Sequence, residues 1–238
     1  MALKDLKIKI FADGADLPGM LQVYKEGVVR GFTTNPTLMK KAGVTDYEKF
    51  AKEVLASITD MPMSFEVFSD DLASMEREAR RITSWGKNVY TKIPVTNTQG
   101  VSTAPLIKKL SAEGVQLNVT AILTLAQVKE VVDALKEGVS SFVSVFAGRI
   151  ADTGVDPLPL MKQALTMTRS KKNVELLWAS CREILNIYQA DGMGCEIITV
   201  PNDILKKSNL IGMDLGALSL DTVKMFYKDS TSAGFKIV

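Results

Sequence analysis

Eight short apolar runs, each followed by a stretch with helical spacing, leave few folds open to this chain. The runs are IKIFAD (8–13), VVRGFTT (28–34), MSFEVF (63–68), NVYTKIPV (88–95), VQLNVTAI (115–122), SSFVSVFAG (140–148), VELLWAS (174–180) and CEIITVP (195–201). Val, Ile, Phe and Thr fill them, as they fill buried strands. Between them, SDDLASMEREARRITSWG opens with Ser69 and two acids, a helix-start signal. TLAQVKEVVDALKEG places Leu125, Val128, Val131, Val132 and Leu135 on one helix face and is expected to end at Gly138. Strands alternating with helices imply parallel strands joined by crossovers. Eight units in 238 residues match an α/β fold, the (β/α)8 TIM barrel, for which about 250 residues is typical. An open doubly wound sheet is the alternative, but no glycine-rich phosphate loop follows the first run. No Pro/Gly/Ser-rich linker divides residues 1–238, so a single domain is expected, with a C-terminal helix and tail over about 217–238. Phe226 and Tyr227 of that tail would pack on the barrel or on a neighbouring subunit.

Composition narrows the chemistry. The chain has no histidine. That removes Ser-His-Asp and Cys-His nucleophiles and the commonest zinc ligand. Proton transfer is left to carboxylates, lysine, tyrosine, cysteine or water. Cys181 and Cys195 have no metal-ligand or disulfide spacing and read as reduced structural thiols. A net charge of +2 without single-sign runs gives no footprint for nucleic acid, and no basic amphipathic helix suggests a membrane surface. No apolar run approaches the roughly 20 residues of a membrane span. The opening MALKDLKIKIF lacks the apolar core and cleavage site of a signal peptide, so the expected location is the cytoplasm.

In such a barrel the chemistry sits at the carboxyl ends of the strands. Polar residues interrupt the apolar runs there. Asp13 closes the first, and Asn35 follows the second in TTNP. Glu66 lies in the third and Lys92 in the fourth. Asn118 and Thr120 are two apart in the fifth, hence on one face. Ser144 and Phe146 share a face in the sixth, followed by Arg149. Ser180 and Arg182 close the seventh. Each also has a structural reading. Asp13 suits a helix cap, Asn35 a turn before Pro36, and Glu66 with Lys92 a buried ion pair. Asn118 and Thr120 suit satisfaction of backbone groups, Ser144 a tight fit, and the arginines solvation. Their coincidence at one mouth favours function.

An unpaired buried ammonium costs several kcal/mol or neutralises itself. Lys92 therefore reads as an amine meant to lose its proton. A neutral amine adds to a ketone, and the resulting iminium draws electrons from the neighbouring carbon–carbon bond. Asp13 and Glu66 are the candidate acid–base groups. Asn35 and Asn118 can bond hydroxyls without carrying charge. Two arginine forks suit a phosphate.

TTNPTL (33–38), KIPVT (92–96), LNVTAI (117–122), FAGRI (146–150) and WASCR (178–182), in this order, resemble the transaldolases, specifically the short members that include fructose-6-phosphate aldolase-like proteins. The resemblance covers about residues 8–225. It implies a cofactor-free, metal-free enzyme that transfers a dihydroxyacetone unit from a ketose phosphate to an aldose phosphate. Lys92 would be the Schiff-base lysine and Asp13 the acid–base group, with Glu66 and Thr120 holding a catalytic water. Asn35, Asn118 and Ser144 would bind the dihydroxyacetone portion, and Arg149, Ser180 and Arg182 the phosphate. Aldolase-type members carry glutamine at the place of Glu66 and tyrosine at that of Phe146, so this chain has the transaldolase pattern. Direct aldol cleavage, or a catalytically weak sugar-phosphate-binding barrel, are the alternatives. Short members assemble as rings, often decamers, which implies a homo-oligomer. Gly14, where a hydroxyl residue is usual, and Val145, where proline is common, depart from the family pattern, and TVPND (199–203) follows it only approximately.

Overall fold

The computed structural model describes residues 2–237, which build a closed barrel of eight parallel strands in sequential order. The strands are β1 (Lys9–Asp13), β2 (Gly31–Thr33), β3 (Met63–Glu66), β4 (Val89–Pro94), β5 (Leu117–Ile122), β6 (Ser141–Val145), β7 (Val174–Trp178) and β8 (Ile197–Pro201). All eight expected strands are present, and the open sheet is excluded because β1 pairs with both β2 and β8. Helices α1 (Leu17–Glu26), α2 (Pro36–Lys41), α3 (Tyr47–Ser57), α4 (Leu72–Thr83), α5 (Ala104–Ala112) and α6 (Leu125–Ala134) follow the first five strands. Then come α7 (Ala147–Asp152), α8 (Leu158–Thr168), α9 (Leu185–Gly192), α10 (Asn202–Leu205) and α11 (Leu215–Ser232).

Local chemistry explains several boundaries. The helix expected from Ser69 starts at Leu72, because the Asp71 carboxylate caps the Ser74 amide at 2.8 Å. The helix expected to run to Gly138 is α6, which ends at Ala134. Its Thr124–Gln127 capping box fixes the start, and Leu135 already has extended backbone. The sixth run is also shorter than expected. Phe146 is the N-cap residue of α7 rather than part of β6.

Side chains alternate between two cores. Outward-facing residues such as Met63, Phe65, Ile93, Val119, Val143 and Trp178 pack under the helices. Inward-facing Phe11, Tyr90, Phe142, Leu177 and Ile197 form a separate cluster that plugs the barrel's interior. Tyr90 stacks on Phe142 at 4.1 Å between centroids, and Phe11 meets Phe142 edge-on at 5.6 Å. A Cβ on Gly31 would come within 2.7 Å of the Phe11 ring, so only glycine lets that ring lie across β2. The plug leaves the carboxyl ends of the strands as the open end of the barrel.

The C-terminal segment forms the expected helix, but not on the barrel. No residue of α11 is buried, and Phe226 and Tyr227 are 62% and 74% exposed.

Candidate active site

Inward residues above the aromatic plug are polar. Glu66 and Lys92 face each other in the β3–β4 register, and Lys92 pairs with Asn118 on β5. Lys92 Nζ lies 3.1 Å from Glu66 Oε2 and donates to the Thr34 carbonyl at 3.0 Å. The lysine is 6% exposed. The buried ion pair considered from sequence is therefore present.

Asp13, at the end of β1, is a neighbour of both. Burial raises its carboxyl above the ordinary range. Lys92 and a hydrogen bond from Thr33 act against that rise, and Glu66 adds to it. Asp13 does not cap α1. Asp16 does, accepting from the Gly19 amide.

Asn118 joins three strands. Its Nδ2 donates to Ser64 Oγ at 2.9 Å, and its Oδ1 accepts from Ser144 Oγ at 2.6 Å. It thus bonds side chains of β3 and β6 rather than backbone groups. Thr120 is 2% exposed, and its Oγ1 is buried without a hydrogen-bond partner among the described residues. Just beyond it Ala121 takes φ +61°, and the β5–β6 register shifts between Val119 and Ile122. Such bulges re-aim side chains next to active sites. Asn35 caps α2, with Oδ1 accepting from the Leu38 amide at 3.0 Å, so its turn role is real.

The strand 6–7 side carries the cations. The guanidinium carbon of Arg149 sits 5.1 Å from the centre of the Phe146 ring, a cation–π contact. Arg182 turns its fork to Asp152, with Nε 3.1 Å from Oδ1 and Nη2 on Oδ2. Gly148 binds the two segments together. A Cβ there would stand 1.6 Å from the Ser180 carbonyl oxygen and 3.2 Å from Arg182 Cγ. Ser180 takes φ +63° at this contact. Arg149, Ser180 and Arg182 thereby gather on one rim.

Several residues of the site were not singled out from sequence. Ser64 lies two before Glu66, and that spacing was a usable signal. Thr33 and Thr199 are ordinary strand residues by composition. Asp152 lies on α7, where nothing in the sequence ties it to Arg182. Among the described residues no cluster of three or more His, Cys, Asp or Glu side chains is placed to hold a metal ion. Both cysteines are free and buried, and burial pushes their thiols up to about 12. No described helix is long and apolar enough to cross a membrane.

Comparison with known proteins gives the family. Residues 10–237 match the family described as Transaldolase/Fructose-6-phosphate aldolase. A "Probable transaldolase" of Thermoanaerobacter is 34% identical over 231 residues, 97% of this chain and 100% of that one. Another, of Dehalococcoides mccartyi, is 35% identical over 199 residues, 83% of this chain and 88% of its own. Among solved structures, 3-keto-L-gulonate-6-phosphate decarboxylase of Vibrio cholerae superposes with TM-score 0.55 at 15% identity, covering 82% of this chain and 88% of its own, a likeness of fold alone.

Proposed function

We propose a function from one premise: this chain belongs to the transaldolase/fructose-6-phosphate aldolase family. The reading is a transaldolase that moves dihydroxyacetone from a ketose phosphate, such as sedoheptulose 7-phosphate or fructose 6-phosphate, to an aldose phosphate. The observation that carries it is the buried Lys92, paired with Glu66 at the open end of the barrel.

Lys92 passes a proton to Glu66 and adds through Nζ to the donor's C2 carbonyl. The carbinolamine loses its oxygen as water, protonated by Glu66, to give the iminium. The buried Thr120 hydroxyl, without a hydrogen-bond partner among the described residues, is available to bond that water. Asp13 takes the proton of the C4 hydroxyl while the C3–C4 bond breaks. The bonding electrons move into the iminium, and the aldose phosphate leaves. The enamine then attacks the acceptor aldehyde, and Asp13 returns its proton to the new hydroxyl. Water adds to the resulting iminium as Glu66 takes its proton, and the carbinolamine collapses to the product ketose phosphate and free Lys92. Asn35, Asn118 and Ser144 orient the three-carbon unit. Arg149, Ser180 and Arg182 take the phosphate, where charge-assisted forks are strongest. Phe146 offers no phenol to orient water for protonating the enamine, which favours transfer over release.

The reading needs no metal or cofactor, and places the protein in the cytoplasm in pentose phosphate or related carbohydrate metabolism. It also makes the protein a homo-oligomer, such as the ring expected from the resemblance. The support is α11, whose Leu220, Val223, Phe226 and Tyr227 form an exposed apolar stripe at helical spacing. A second copy of the chain is the proposed cover.

Borohydride trapping with fructose 6-phosphate, followed by peptide mass spectrometry, tests the chemistry. A reduced three-carbon adduct on Lys92 is expected. Its absence on folded protein would overturn the reading.

A further inference from the structure

Asp13 is held by a chain of hydroxyl groups that the reaction above does not use. Thr33 stands beside it in the β1–β2 register and brings Oγ1 to 2.8 Å from Asp13 Oδ1. The same Oγ1 lies 2.5 Å from Oγ1 of Thr199 on β8. Thr33 and Thr199 are 2% and 5% exposed. A hydroxyl carries one proton. Thr33 gives its proton to the carboxylate, which only accepts. In the second contact Thr199 must therefore be the donor. The direction is set across three adjacent strands: Thr199 to Thr33 to Asp13.

We propose that Thr33 is a positioning residue for Asp13, and that Thr199 orients the Thr33 hydroxyl. This rests on the acid–base role given to Asp13 above. Without a fixed donor, a carboxylate turns about its terminal torsion, which has broad wells. The bond to Oδ1 pins that torsion and leaves Oδ2 to exchange the proton of the substrate hydroxyl. The charged groups acting on Asp13 are Lys92 from β4 and Glu66 from β3, while β2 and β8 contribute neutral hydroxyls. The Thr33 bond also favours the ionised carboxylate that must accept a proton.

Thr33→Val keeps the branched shape and removes the hydroxyl, and Thr33→Ser keeps the hydroxyl. Lys92 adduct formation, kcat and the pH dependence of kcat/KM are measured for both, with Asp13→Asn alongside. For Thr33→Val the adduct and the thermal melt should persist. Its kcat should fall about tenfold or more, and the acid limb of its pH profile should move to higher pH. Thr33→Ser should recover kcat to within about threefold. Thr199→Val should act in the same direction, more weakly. An unchanged kcat and acid limb in Thr33→Val, or equal losses in the Val and Ser variants, would overturn the proposal. If Asp13→Asn itself transfers at the wild-type rate, the acid–base reading fails. If Asp13→Asn is inactive while Thr33→Val is normal, only the positioning role fails.

Discussion

Glu66 and Lys92 stand opposite each other on adjacent strands, with Nζ 3.1 Å from Oε2. The pairing solves two problems at once. It compensates a buried ammonium, and it puts a proton acceptor in contact with the atom that must become a nucleophile. Lys92→Met keeps the stem and removes the amine. Turnover should fall below detection in a coupled assay with fructose 6-phosphate and an aldose phosphate. Measurable turnover in Lys92→Met would remove the imine from the mechanism. The variant leaves Glu66 without its cation, so a stability loss of up to about 3 kcal/mol in denaturant melts is also expected.

Phe146 follows β6 as the N-cap residue of α7, and its ring carries the Arg149 guanidinium. Phe146→Tyr introduces a phenol where the enamine waits. The ratio of direct cleavage to transfer, assayed without and with an acceptor, should rise about tenfold or more, since a well-placed general acid contributes roughly 100-fold and the new phenol is only partly positioned. An unchanged ratio would count against the role given to the ring.

Arg182 holds Asp152 with both arms of its fork, and both side chains are about half exposed. Such a pair contributes less than about 1 kcal/mol and yields to a phosphate. Arg182→Gln should raise KM for fructose 6-phosphate by roughly 10- to 100-fold, the span of a charge-assisted hydrogen bond. KM for unphosphorylated dihydroxyacetone should stay within about twofold. Equal losses on both substrates would place Arg182 outside phosphate recognition.

Burial raises the Asp13 carboxyl above its ordinary range, and the folded protein therefore binds that proton more tightly than the unfolded chain. The stabilisation is complete below the ordinary carboxylate range and is lost as pH rises through the folded value. Asp13→Asn removes the titration. Its Tm should exceed wild type by about 2–4 °C near pH 7.5. The gap should close as pH approaches about 4. Scanning fluorimetry across that range checks the sign, and a Tm below wild type at about pH 7.5 would contradict it.

Helix α11 exposes Leu220, Val223 and Tyr227 along one stripe. Leu220→Glu with Tyr227→Glu should lower the mass measured by light scattering toward that of one 26.0 kDa chain. An unchanged oligomer would move the interface elsewhere.

Much of the site was readable because strands repeat every two residues. Lys92, Asn118, Thr120 and Ser144 break apolar runs at positions whose parity sends them inward, and the structure places them there. Asn35 was legible twice over, as a cap before Pro36 and as a candidate ligand, and sequence cannot rank those uses. Phe146 was read as a strand residue although it caps α7, because a strand that ends at its helix leaves no signal in hydrophobicity.

The chain's pattern alone determined eight strand–helix units and favoured a closed barrel over an open sheet, and the pairing of β1 with β8 decided for closure. Eight runs with crossover helices admit a closed parallel barrel, and a closed barrel puts every strand's carboxyl end at one mouth. Only the tertiary structure decided which groups touch. Thr199 on β8 lies 166 residues from Thr33 on β2 and 186 from Asp13 on β1, yet the three become neighbours when β8 closes on β1. Asp152 meets Arg182 because Gly148 lets α7 approach the Ser180 carbonyl. Hydrogen bonds act over about 3 Å, and such distances between strands are set by barrel closure and packing, which no local window of sequence contains.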